Sequence, residues 1–181
     1  MIQKSIQHRI MTNIVLMWQS LSQCYICSLG GRVHILNIYA PYKDRFDFWD
    51  RLITSSMMEL DSLIIAGDRN CTAGLDKVWG CSGKIDPLAG MIQDAILMHN
   101  FVDIYPAKMA PTWDNGCIGT TYVAKRLDRF WVHEQLLGGL GDVHADIISN
   151  FISDHRPISL QWRKMDIRTS LQIQQNMAGG S

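Results

Sequence analysis

Residues 63–70 read Leu-Ile-Ile-Ala-Gly-Asp-Arg-Asn, an apolar run that stops at a glycine and then presents a carboxylate and a carboxamide two positions apart. The run is too short for a buried helix and reads as a fully buried strand. Composition supports the core that such a strand needs, since 47% of the 181 residues are hydrophobic and six are tryptophan. That length suits one domain, and the apolar content excludes disorder over most of the chain.

Other elements follow from periodicity. Two apolar stretches, residues 24–29 and 32–39, flank Gly30-Gly31, a pair suited to the positive φ angles of a hairpin turn, and Pro41 ends the second strand. Apolar residues recur at three- and four-residue steps from Phe46 to Leu60 and again from Leu88 to Asn100, predicting two amphipathic helices, the second capped by Asn100. Residues 71–86 are rich in Gly, Cys, Ser and Asp and read as a loop. Short strands are expected at 102–104, around Thr112-Trp113, and at 121–123, 127–132 and 158–162. The weakly periodic segment 164–181, ending Gly-Gly-Ser, reads as a disordered tail.

Charge and cysteine content narrow the setting. Lys plus Arg and Asp plus Glu both number 17, so no bulk charge draws the chain to a polyanion. Five scattered cysteines do not form a secreted disulfide framework, which points to an intracellular protein, nuclear or cytoplasmic. Cys24-x-x-Cys27 has no second close Cys/His pair to complete a zinc site. No apolar run approaches the ~18 residues of a membrane span, and no small-residue cleavage site follows the N-terminal apolar stretch. Nothing in the sequence implies an obligate protein partner.

Four strand ends carry polar groups: Asn37-Ile38-Tyr39-Ala40-Pro41, Gly67-Asp68-Arg69-Asn70, Arg126-Leu127-Asp128-Arg129-Phe130 and Ser153-Asp154-His155-Arg156-Pro157. Strand ends gathered at one sheet edge are a usual place for a site. Asp68 and Asp154 are hard oxygen ligands of the kind Mg²⁺ or Mn²⁺ takes, and His155 can donate to a phosphoryl oxygen. Asp128 can hold that imidazole in one tautomer and favour its charged form, and Asn70 can orient a water or a phosphate. Such a set suits metal-assisted phosphodiester hydrolysis. Each piece has a plainer reading as well: an Asx-turn at Gly-Asp-x-Asn, a surface ion pair at Leu-Asp-Arg, a structural histidine at 155. Arg126, Arg129 and Arg156 can serve a phosphate, or be solvated or paired with acidic neighbours. Arg69 should point away from Asp68 and Asn70.

The ordered set "NIYAP", "IIAGDRN", "TW", "RLDRFWV" and "SDHRPI" resembles the endonuclease/exonuclease/phosphatase superfamily, which is DNase I-like and includes the apurinic/apyrimidinic endonucleases. Within it the chain looks most like the endonuclease domain of LINE-type, non-LTR retrotransposons, especially those of plants. The resemblance implies an α/β chain folded as a four-layer sandwich of two mixed sheets, spanning residues 32–163 after a divergent segment 1–31. It implies a divalent-metal-dependent phosphodiesterase, a DNA endonuclease by descent, with Mg²⁺ or Mn²⁺ as cofactor and DNA as partner.

By the same resemblance Tyr39 contacts the substrate phosphate, Asp68 and Asn70 handle the nucleophilic water and the metal, and Thr112 binds substrate. Asp128 orients the catalytic histidine, His155, and Asp154 is associated with the metal. The family also uses an asparagine and a metal-binding glutamate upstream of the tyrosine, whereas residues 1–31 contain no Asp or Glu. The expectation is therefore a domain lacking its N-terminal portion, with a weakly held cation and weakened cleavage. Two further readings stay open: an inactive retroelement remnant or binding fold, and a phosphatase of the same superfamily.

Overall fold

A computed structural model describes residues 20–26, 31–72, 74–80, 84–149 and 153–163. Gly30 of the expected hairpin turn, Cys27, and the segments 1–19 and 164–181 lie outside the described residues. The elements run β1 (Ser20–Ile26), β2 (Gly31–Tyr39), α1 (Arg45–Ile53), β3 (Leu63–Asp68), β4 (Val78–Gly80), α2 (Ala89–Met98) and β5 (Phe101–Ile104). They continue with β6 (Trp113–Asp114), β7 (Val123–Lys125), β8 (Asp128–His133), α3 (Glu134–Leu140), β9 (Asp142–Ile147) and β10 (Ile158–Arg163).

The apolar run at 63–66 is the heart of a mixed five-stranded sheet ordered β1-β2-β3-β8-β5, in which β2 and β3 are parallel and the other pairs antiparallel. Alternation along β3 sends its side chains to two cores. Leu63 and Ile65 join Leu36, Ile38 and Trp131 beneath Trp49 and Leu52 of α1 and Leu88 and Ile92 beside and within α2. Ile64 joins Val33, Val132 and Ile104 on the opposite face, against Ala145 of β9 and Leu160 and Trp162 of β10. Helices α1 and α2 therefore cover one face of the sheet, and the β9–β10 pair with α3 covers the other, the α/β sandwich expected. A three-stranded sheet, β4-β7-β6, stands beside it.

The expected helix over residues 46–60 breaks in two. Thr54 Oγ1 and Ser55 Oγ bond back to the carbonyls of Asp50 and Leu52, ending α1 at Ile53, and a short 3₁₀ turn, Ser56–Glu59, follows. Asn100 does close α2, in left-handed conformation at φ 54°. Two elements had no counterpart in the sequence reading. Helix α3 contains Gly138-Gly139, poor helix formers whose cost is offset because Leu136 and Leu140 are buried. Strand β9 carries its signal as the alternation of Val143, Ala145 and Ile147. The loop expected at 71–86 contains the short strand β4, paired with β7.

Gly67 has φ 116°, and a Cβ there would lie 2.1 Å from the carbonyl oxygen of Ile38. Both the backbone conformation and the neighbouring strand exclude a side chain. Gly67→Ala is expected to cost about 4 kcal/mol or more, read as a collapse of the urea unfolding midpoint or as insoluble expression.

Candidate functional site

Strand register places three of the expected residues side by side. Tyr39 pairs with Asp68 across β2 and β3, and Asp68 pairs with Asp128 across β3 and β8. All three strands stop at this edge of the sheet. Tyr39 is half exposed there, whereas Asp68 is buried. The Ser153–Pro157 segment then brings His155 over the edge: Nδ1 lies 3.0 Å from Asp128 Oδ2 and Nε2 lies 3.8 Å from Asp68 Oδ2. The imidazole thus sits between two carboxylates from adjacent strands.

Asp68 has two dissimilar oxygens. Oδ1 accepts the Asn70 backbone N–H at 2.8 Å, so the Asx-turn is real and accounts for one of them. Oδ2 is buried and has no hydrogen-bond partner among the described residues. Burial, with the charge of Asp128 alongside, pushes the Asp68 carboxyl up to about 6, against the pull of the Asn70 N–H, His155 and Arg69. Burial works against the charged form of His155, but the hydrogen bond and charge of Asp128, with Asp68 and Asp154, raise its pKa overall. A carboxyl group and an imidazole 3.8 Å apart are thus both shifted upward from their ordinary values.

Asn70 takes a left-handed conformation at φ 44°. Its Nδ2 donates to the Ala40 carbonyl and its own carbonyl accepts Arg45 Nη1 at 2.7 Å, and among the described residues nothing donates to its carboxamide oxygen. Arg45, which is also paired with Asp86 at 2.9 Å, had no assigned part in the sequence reading. Its distance of 25 residues from Asn70 explains why.

Thr112, expected at the substrate, is fully buried at 0% exposure, and its Oγ1 accepts the backbone N–H groups of Leu127 at 3.0 Å and Asp128 at 2.9 Å. It stands behind Asp128 and shapes the entry to β8.

The arginines beside the motifs take the paired alternative. Arg126 meets both Asp103 oxygens, at 3.2 and 3.0 Å, and Arg129 adds a third bond at 2.8 Å. Arg156 bonds Asp114 at 3.2 Å. Arg69 points away from Asp68 and Asn70 as expected. It is nevertheless buried at 1% exposure, stacked 3.4 Å from the Trp131 ring centroid. Cys71 is buried, which pushes its thiol up to about 12 and leaves it inert at neutral pH.

Asp68 and Asp154 supply oxygen donors of the kind a hard cation takes. Asp68 Oδ2 is a buried orphan acceptor, and Asp154 lies one residue from His155 with its carboxyl held below the usual carboxylate range by the Trp113 indole. Among the described residues no three His, Cys, Asp or Glu side chains converge as a ready-made cage. A partly hydrated Mg²⁺-like ion suits such a site better than a fully dehydrated one.

No protein-family model matches the sequence, and no curated protein matches it. Among solved structures, the endonuclease domain of TRAS1, a telomere-specific non-LTR retrotransposon, is similar with a TM-score of 0.59 and 16% identity. The match covers 81% of this chain and 70% of that one. D. rerio TDP2 complexed with single strand DNA product is similar with a TM-score of 0.46 and 12% identity, over 80% of this chain and 60% of its own. No described helix is long and apolar enough to cross a membrane. The likeness to the TRAS1 domain establishes the architecture: this chain has an α/β sandwich fold of the DNase I-like type.

Proposed function

We propose that the chain is a divalent-metal-dependent phosphodiesterase acting on DNA, related to the endonucleases of LINE-type retrotransposons. The observation that carries this reading is the placement of His155 between Asp128 and Asp68, with Asp68 buried, raised to about 6 and retaining one unpartnered oxygen. In this reading Asp68 Oδ2 takes a proton from a water whose oxygen attacks phosphorus. The bond from phosphorus to the departing strand's oxygen breaks, and that oxyanion is protonated from solvent. His155, held by Asp128 through Nδ1, donates from Nε2 to a non-bridging phosphoryl oxygen. The Asn70 carboxamide orients the water, and the exposed Tyr39 hydroxyl meets the phosphate. A hydrated Mg²⁺ or Mn²⁺ held by Asp68, Asn70 and Asp154 would supply charge neutralisation at the phosphate.

The similar fold of a retrotransposon endonuclease domain makes DNA the first substrate to test. Purified protein with Mg²⁺ or Mn²⁺ is expected to nick supercoiled plasmid, and His155→Ala is expected to lower the rate by about 10²- to 10⁴-fold. Equal inertness of the wild type, His155→Ala and Asp68→Ala would leave a silent fold as the better reading. Turnover of a small phosphate monoester with no nicking would move the activity to a phosphatase.

A further inference from the structure

Asp154 and His155 are adjacent on a segment whose first residues, Ser153 and Asp154, are exposed. A short strip, residues 111–114, grips this segment at every position from 154 to 156. Asp114 N–H donates to the Asp154 carbonyl at 3.2 Å, Arg156 N–H donates to the Thr112 carbonyl at 2.7 Å, and Trp113 and His155 form an antiparallel bridge. The Arg156 guanidinium closes the far end on the Pro111 carbonyl at 3.0 Å and on Asp114. Within this grip one bond reaches a side chain of the site: Trp113 Nε1 donates to Asp154 Oδ2 at 3.0 Å.

We propose that Trp113 is a positioning residue of the site, its indole N–H fixing the Asp154 carboxylate beside His155; this rests on the phosphodiesterase reading above. An exposed carboxylate otherwise rotates freely about two torsions, and a rigid indole rooted in β6 removes that freedom. With Oδ2 committed to the indole, Asp154 offers the site its other oxygen, Oδ1, which accepts from Ser153 Oγ at 3.3 Å. The role belongs to the N–H and not to the aromatic surface, and the two can be separated. Trp49 and Trp131 serve as internal comparisons, because their buried indole nitrogens have no hydrogen-bond partner among the described residues.

Trp113→Phe keeps an aromatic ring and removes the donor. The maximal nicking rate and the apparent affinity for Mn²⁺ are expected to fall about 10- to 100-fold, the range for partners that orient a metal-associated ligand, with the half-saturating DNA concentration unchanged. A ring that merely packs on substrate would do the opposite, raising the DNA requirement and leaving the maximal rate, and that result overturns the proposal. A second readout needs no activity. In protein carrying ¹⁵N-indole tryptophan, the Trp113 Nε1–H signal is expected to shift and exchange faster in Asp154→Ala, while those of Trp49 and Trp131 stay in place. An unmoved Trp113 signal overturns the proposal even if the wild type cleaves DNA. Inert wild-type protein with a responding signal would sink the phosphodiesterase reading alone.

Discussion

Asp68→Asn is expected to abolish nicking and, at the same time, to stabilise the protein above pH 7. Loss of the base should lower the rate by about 10³-fold, since the carboxamide keeps the shape and the Asn70 contact but takes no proton. The stability effect follows from the pKa. The carboxyl titrates at 3.8 in an unperturbed chain and at about 6 in the fold, raised chiefly by burial. The folded state therefore holds a proton where the unfolded chain has lost it. The stabilisation from that proton is full below pH 3.8 and lost as the pH rises through about 6. The raised pKa of His155 has the same sign but acts above its ordinary 6.5, so wild-type stability should decline through the Asp68 window and go on declining above 6.5. Above it Asp68 is a buried carboxylate whose Oδ2 has no hydrogen-bond partner among the described residues, a penalty of about 3 kcal/mol with the attraction to His155 already included. Urea unfolding should place Asp68→Asn about 1–2 kcal/mol above wild type at pH 8, with the gap closing at pH 4. An equal gap at both pH values would mean that Asp68 is not the buried, raised carboxyl described.

The second large effect concerns a fully buried residue behind Asp128. Thr112→Val keeps the shape but strips Oγ1 from two buried amides, those of Leu127 and Asp128. Each unsatisfied N–H costs about 1–3 kcal/mol, so a loss of about 3 kcal/mol is expected, or roughly 6–12 °C in thermal midpoint for a domain of this size. Thr112→Ser retains the acceptor and should recover most of that loss. Because the two amides open the strand that carries Asp128, the valine variant should also loosen the Asp128–His155 contact and lower nicking more than heat stability alone explains. A valine variant that melts with wild type would show that the hydroxyl bears no such load.

The arginines show where reading along the chain stops. Arg126, Arg129 and Arg156 stand beside catalytic-type motifs, where a basic side chain suggests a phosphate. Their carboxylate partners, Asp103 and Asp114, lie 23, 26 and 42 residues away, and strand pairing alone brings them together. Arg69 is the sharper case: the sequence says only that it should point away from Asp68 and Asn70, and the fold lays its buried guanidinium on Trp131. The Arg45 hold on Asn70 and the Trp113 bond to Asp154 escape the sequence for the same reason.

What the sequence determined by itself is local. A continuous apolar run too short for a helix made residues 63–66 a buried strand, Gly67 let the backbone turn out of it, and the small polar residues beyond were bound to sit at the strand's end. The ordered spacing of Tyr39, Asp68, Asn70, Asp128, Asp154 and His155 was legible in the same way, because each motif is only a few residues long. Only the tertiary structure decided which of Asp68's oxygens is free, how far burial shifts it, that Thr112 works from behind, and that α3 and β9 exist despite Gly138-Gly139. Burial and pairing sum over neighbours far apart in the chain, so no window along the sequence contains them.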